Sequence, residues 1–288
     1  MVTLLNGITL SFATDTDEIV FDEENYLVET GLRGFGIPTP MLRIDPSAGD
    51  GGIFRQTKRD IRSIDIPVIV LGSSRDDVEA KLRRLSRILL RKFELRAYYG
   101  DGNILYLESY LAAGGDTQFG RDANNYMCRW VLTIKCPQPY WLSRQSTSFS
   151  VGQGTARGLI YGNGSFMNLQ IADERIFGQL TINNPGDVPC PIDWVLRGPF
   201  SSMTLSDAYG NSFSYSAAVN DGDEVYISGI NSTVTDPIYG TNLYQWLSGN
   251  PKFFYLREGS NILTIVGEDL GGGASATAIF NPRYEVIH

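Results

Sequence analysis

The chain has 288 residues, 42% hydrophobic and 19% charged, which is enough length and apolar content for one large or two ordinary cored domains and rules against a disordered polymer. Its formal net charge is −8, and no apolar run reaches the roughly 18 residues of a membrane-spanning helix. A transmembrane anchor is therefore excluded, and a nucleic-acid grip built on overall basic charge is not expected.

The first residues, MVTLLNGITLSFATDTDE, lack a basic leader and are interrupted by polar residues, so they make a poor secretory signal. An unprocessed cytosolic origin is expected, and the sequons at Asn163 and Asn231 then carry little weight. Residues 1–53 hold two basic and nine acidic groups. From Gly31 to Gly52, three prolines and six glycines leave few periodic apolar positions, which predicts a long loop or extended arm suited to contact with a neighbouring subunit. Next, RSIDIPVIVLG sets Ile64, Ile66, Val68 and Val70 on one face of a strand, with Pro67 marking an edge or a bulge.

The one convincing helix spans roughly residues 74 to 92. Ser74 and Asp77 resemble a capping box, Asp76, Asp77 and Glu79 lie at its positive end, and Arg91 and Lys92 at its negative end. Val78, Leu82, Leu85 and Leu89 form one apolar stripe, with Arg83, Arg84 and Arg87 pointing away from it. No aromatic residues interleave with those arginines, as a platform for single-stranded nucleic acid requires. The helix reads as an amphipathic cover for a sheet, its arginines solvated or paired with an acidic neighbour such as Asp15, Asp17, Asp22, Glu23 or Glu24.

After the helix, FELRAYYGDGNILYLESYLAAGG reads as two strands joined at GDGN, and YMCRWVLTIKC as a third. That strand stops at PQPYW. Pro139 removes a ladder donor, and Tyr140 and Trp141 have large apolar surfaces to bury, so Pro139, Tyr140 and Trp141 are the candidate domain junction. From about residue 146 helical periodicity disappears. Short strands recur instead: GQLTINN, IDWVLRG, SMTLSD, SFSYSAAV, EVYISG, FFYLREG, NILTIVG and TAIFNPRYEVI. The expected fold is mainly β: residues 1–145 form an α+β domain with one helix on an antiparallel sheet, and residues 146–288 a β-sandwich or jelly roll.

Catalytic chemistry is scarce. The only histidine is His288 at the end of the sequence, and three cysteines, Cys128, Cys136 and Cys190, show no CxxC spacing. The thiols read as buried small hydrophobes, and no metal or cofactor is expected. Gly152, Gly154 and Gly158 in GQGTARG superficially match a dinucleotide loop, but no helix pattern follows them. The DxD pairs Asp15/Asp17 and Asp221/Asp223 read as turn formers, though such carboxylates also bind divalent ions or serve glycosidases. The chain is not expected to be an enzyme. In IYGTNLYQWLSGNPKFFYLREG, Tyr244 and Trp246 are candidates for stacking on a sugar ring, against the alternative that FFYL is a core strand and Trp246 closes the sandwich.

Taken in order, GGIF at Gly51–Phe54, IDIPVIVLG with the helix after it, NILYLESYLAAGG, KCPQPYW, INNPGDVPCPIDWVLRGP, REGSNILTIVGE and NPRYE resemble the distal tail protein family of long-tailed bacteriophages. The resemblance runs over nearly the whole chain. It implies a homohexameric ring at the tip of the tail tube, joining the tube to a baseplate or tip fibre in the virion. N-terminal domains would surround the channel through which the DNA passes, and galectin-like C-terminal domains would radiate outward. Tail tube protein, tape-measure protein and a tip hub or fibre protein would be its partners, with no membrane. INNPGDVPCPIDWVLRGP would be the first hairpin of the sandwich. The family offers no catalytic residues to carry over. The alternative function is a carbohydrate-binding module for host-wall polysaccharide, although no insertion here is long enough to form an extra module.

Overall fold

The computed structural model describes residues 7–22, 24–117, 123–152, 177–248 and 253–287. Two compact units result: Met1–Gln145 with Arg283–His288, and Ser146–Pro282. The first contains β1 (Thr9–Ala13), β2 (Glu18–Val20), β3 (Tyr26–Val28), β4 (Pro40–Pro46), β5 (Gly52–Arg59) and β6 (Arg62–Leu71). Helix α1 (Arg75–Leu89) follows, then β7 (Phe93–Tyr98), β8 (Ile104–Ala113), β9 (Met127–Cys136) and β10 (Trp141–Ser143). The main sheet is antiparallel in the order β2-β1-β7-β8-β9-β6-β3, with β10 on β8 and the C-terminal strand Arg283–Tyr284 on β10.

Strict alternation builds this sheet. Ile64, Ile66, Val68 and Val70 of β6, Phe93, Leu95 and Ala97 of β7, and Leu132 and Ile134 of β9 all enter one core, each large side chain contributing roughly 1.5–3 kcal/mol by its burial. On α1, Val78, Leu85, Ile88 and Leu89 turn inward, and Leu82 packs against the core's edge. The Ser74 hydroxyl accepts from Asp77 N, while the Asp77 carboxylate accepts from Ser73 N, so the cap is reciprocal but reaches one residue beyond the N-cap. The helix stops at Leu89, and Leu90 is its C-cap.

Three readings change in the first unit as the structure defines it. Pro67 lies in a strand flanked on both sides, not at an edge or bulge. Its carbonyl accepts from Glu29 N, so its missing N–H faces β3 just where that strand ends at Val28. The stretch from Gly31 to Gly52 is not irregular throughout: β4 pairs with β5 as a two-stranded hairpin. Prolines at both ends of β4 hid its alternation. Finally, residues 283–287 do not belong to the sandwich. Arg283 and Tyr284 add to β10 through Leu142 and Trp141, so the chain returns to its first unit.

The second unit is a sandwich of two five-stranded antiparallel sheets sharing one core, as the mainly-β expectation required. One orders Thr147–Gly152, Ser275–Phe280, Asp193–Arg197, Glu224–Ser228 and Thr233–Thr235. The other orders Phe177–Asn184, Gly259–Glu268, Ser202–Asp207, Ser212–Tyr215 and Leu247–Ser248. The segment INNPGDVPCPIDWVLRGP is therefore no hairpin, because its two strands enter different sheets. Asn184 shapes the crossing: Nδ2 donates to Val188 O and Leu256 O, and Oδ1 accepts from Gly186 N.

Candidate functional site

The β4–β5 hairpin is the most exposed regular element of the first unit. Its ladder runs from Pro40↔Arg59 to Pro46↔Gly52, with a register shift after Arg43 that leaves Arg55 as the extra residue. Alternation then aligns Leu42, Ile44 and Phe54 on one face. They are 55%, 56% and 60% exposed. The other face carries Met41, Arg43, Asp45, Ile53, Gln56 and Lys58, and Arg55 closes on Asp45 at 2.7 Å. A two-stranded ribbon with an uncovered apolar face is not self-sufficient in water.

At its root the hairpin is anchored. Asp60 N donates to Thr39 O, and Arg33 and Asp65 form a two-way backbone bridge. Arg62, only 2% exposed, lies among these contacts. Its Nε donates to Pro139 O at 2.6 Å, and Nη1 to Gly34 O and Gly36 O at 2.7 Å each. Nη2 donates to Glu285 O. Burial pulls the guanidinium below its ordinary pKa. Sequence reasoning passed over Arg62, yet it shares parity with Ile64 and Ile66 and so had to face inward.

Pro139, Tyr140 and Trp141 meet this site from the other side. The Pro139 carbonyl serves Arg62, Tyr140 is half-buried, and Trp141 is wholly buried in the first unit's core, stacked on Phe35. The chain leaves that unit only after Gln145.

On the helix, Arg84 grips Asp17 with Nη2–Oδ1 at 2.6 Å and Nε–Oδ2 at 3.1 Å. The arginine's hydrogen bonds hold Asp17 below the usual carboxylate range. Arg83 pairs with Glu79 along the helix. A groove of about 540 Å³ at the helix C-terminus is lined by Asp15, Asp17, Arg87, Arg91 and Lys92, a mixture of signs with no nucleophile–base pair among its walls.

Tyr244 and Trp246 occupy a short 3₁₀ turn of the sandwich and are 40% and 44% exposed. Their backbone is pinned: Asn242 Oδ1 accepts from Tyr244 N, Trp246 N donates to Leu243 O, and Trp246 O accepts from Ser216 N. Trp246 does not close the core, whereas Phe254 and Leu256 of FFYL are buried.

Among the described residues no group of three or more histidine, cysteine, aspartate or glutamate side chains is placed to hold a metal. Asp17 is engaged by Arg84, and Asp223 accepts from Asn220 within its own turn. All three thiols are buried and none is in a disulfide; Cys136 lies 3.3 Å from the Ser109 hydroxyl, and burial pushes its thiol up. Gly154 and Gly158 of GQGTARG, Asn163 and Glu23 lie outside the described residues.

No family model and no curated protein matches the sequence. Solved structures do match its fold. The Dit protein of phage SPP1, described as a paradigm of the hub adsorption apparatus in phages infecting Gram-positive bacteria, superposes with a TM-score of 0.64 at 13% identity over 96% of this chain and 98% of that one. Chains of the phage p2 baseplate in its activated conformation match at TM-scores of 0.55 with strontium and 0.51 with calcium, at 14% and 13% identity. Each covers 97% of this chain and 99% of its own. Over nearly its whole length, the chain carries the fold of these phage hub and baseplate chains.

Proposed function

We propose that the protein is a structural component of a phage tail tip, a ring of six copies that joins the tail tube to a baseplate or tip fibre. The tube protein, tape-measure protein and a hub or fibre protein are its neighbours, and the DNA leaves through its channel. End-to-end likeness of fold to hub proteins supports this reading. The observation that carries it is the Leu42–Ile44–Phe54 face, apolar and uncovered in a single copy. Six identical contacts of a heterologous kind close into a ring, so each hairpin meets a different patch on its neighbour. Sedimentation and electron microscopy test it: the chain, alone or with tube protein, is expected to form six-membered rings, and Leu42→Asp or Phe54→Ser to leave single folded copies. Persistence of single copies in every mixture would overturn the proposal.

A second reading, a sandwich that binds neutral glycan, draws on the pinned and exposed Tyr244 and Trp246. The segment from Asn231 to Ser248 carries Asp236 but no lysine or arginine, which suits an uncharged sugar over an anionic wall polymer. Calorimetry with uncharged cell-wall glycans decides: binding abolished by Trp246→Ala supports it, and no heat with the unaltered chain removes it.

A further inference from the structure

We infer that residues 283–287 act as a strap that fixes the direction of the β4–β5 hairpin, with Arg62 and Glu285 as its positioning residues. The hairpin's function as the contact between copies rests on the reading above; the strap itself rests on geometry within the first unit.

Glu285 holds the hairpin root twice. Its carboxylate accepts from Arg59 Nε at 3.0 Å and Nη2 at 2.7 Å, and Arg59 is the last residue of β5. Its backbone carbonyl accepts from Arg62 Nη2, on the guanidinium that also binds Gly34 O and Gly36 O before β4 and Pro139 O before β10. One buried cation thereby ties three segments distant in sequence. All four acceptors are carbonyls, so each lost partner leaves a buried charged donor unsatisfied instead of merely weakening an ion pair. Tyr284↔Trp141 and Arg283↔Leu142 carry the segment into position along β10.

The chain order gives this clamp a consequence. The hairpin lies at residues 40–59, but its strap follows the entire Ser146–Pro282 sandwich. During synthesis the apolar face is therefore made early and fixed late. A chain lacking the strap keeps the Thr39–Asp60 and Arg33–Asp65 backbone contacts and the Arg62 bonds to Gly34 O, Gly36 O and Pro139 O. It loses both Glu285 bonds: the Arg59 ion pair at the end of β5 and the fourth acceptor of Arg62. Assembly is thus gated on the sandwich having been made.

Trypsin reads the hairpin directly, because Arg43, Arg55 and Lys58 are cut only when the ribbon opens. The unaltered chain, Glu285→Ala and a chain ending at Pro282 are compared at concentrations where copies do not associate. Cleavage within residues 43–58 is expected to speed up on the order of tenfold in both variants, while the sandwich's melting transition stays in place and assembly requires more protein. Unchanged cleavage in Glu285→Ala overturns the strap, even if the truncated chain fails to fold. Should Phe54→Ser leave rings intact while Glu285→Ala still loosens the hairpin, the ring contact lies elsewhere and the strap stands.

Discussion

Trp141 and Phe35 stack with ring centroids 6.0 Å apart and planes 26° from parallel. Phe35 sits between the two glycines whose carbonyls bind Arg62, so the residue that opens β10 also supports the arm leading into β4. Trp141→Ala empties a fully buried indole site and is expected to cost about 3–5 kcal/mol in denaturant unfolding. Trp141→Phe keeps the stack and removes an indole N–H that has no partner among the described residues, so its cost is expected to be well below that of alanine. Equal effects of the two would mean that the stack contributes little.

Gly34 is the backbone pivot of the same root. Its φ is +89°, and an added Cβ would sit 2.1 Å from Ser63 O and 2.9 Å from Ile64 Cα, both main-chain atoms. Gly34→Ala is expected to lose more than about 2 kcal/mol, since neither neighbour yields cheaply. Gly36 is the control: open space surrounds it and its φ is ordinary. Gly36→Ala is expected to be neutral or to gain about 0.5 kcal/mol from the unfolded chain's lost freedom. Similar losses at both positions would show that the root does not distinguish them.

The first unit also has an acid limit. Arg84 hydrogen bonds lower Asp17. Burial works against Glu18, but the Ser11 and Tyr98 hydroxyls and Arg96 prevail and its pKa falls. Asp22 is likewise opposed by burial and lowered by donors from Asn25, Tyr26 and Glu24. Depressed carboxylates contribute stability above their unfolded values, near 3.8 for aspartate and 4.5 for glutamate, and lose it as pH falls through the folded ones. Melting temperatures are expected to hold near neutrality and to drop below about pH 4.5. Glu18→Gln should flatten that drop, and a slope as steep as the unaltered chain's would remove Glu18 from the account. At neutral pH Arg84→Ala is expected to cost about 1 kcal/mol or less, because the pair is well solvated.

Period carried most of what the sequence disclosed. Ile64, Ile66, Val68 and Val70 recur at every second position, and Val78, Leu85 and Leu89 repeat at helical spacing, so the sheet and its cover were legible, as was the strand-dense second half. Long-range partners were not. The strand Asp193–Arg197 lies between Glu224–Ser228 and Ser275–Phe280, both well beyond its local sequence, and the local Pro-Gly turn before it looked like a hairpin loop. Likewise Arg283–Tyr284 looked like the tail of a sandwich strand, because pairing with β10 leaves no local signature. The hairpin face was missed for a different reason: Leu42, Ile44 and Phe54 have no core in their own chain, so the usual test of burial had nothing to find.

An alkaline limit belongs to the sandwich. Tyr226 of the strand Glu224–Ser228 donates its hydroxyl to Asp193 Oδ2 at 2.8 Å, while Asp193 Oδ1 accepts from Gly229 N at 2.8 Å. Burial first, and then the bond to Asp193, push the phenol up to about 12 from an ordinary 10. A raised acid contributes stability that is complete below the unfolded value and is lost as pH rises from there through the folded one. Unfolding is therefore expected to become easier above pH 10, by on the order of 2 kcal/mol at the far end of the window. Burial also raises Tyr215 in this unit and Tyr26 and Tyr106 in the other, so the unaltered chain shows their combined slope. Tyr226→Phe isolates the largest share. At neutral pH it leaves Asp193 with its Gly229 bond and is expected to cost about 1–3 kcal/mol; at alkaline pH its sandwich transition should fall less steeply than that of the unaltered chain. Matching alkaline slopes would mean that the Tyr226–Asp193 bond does not govern the limit.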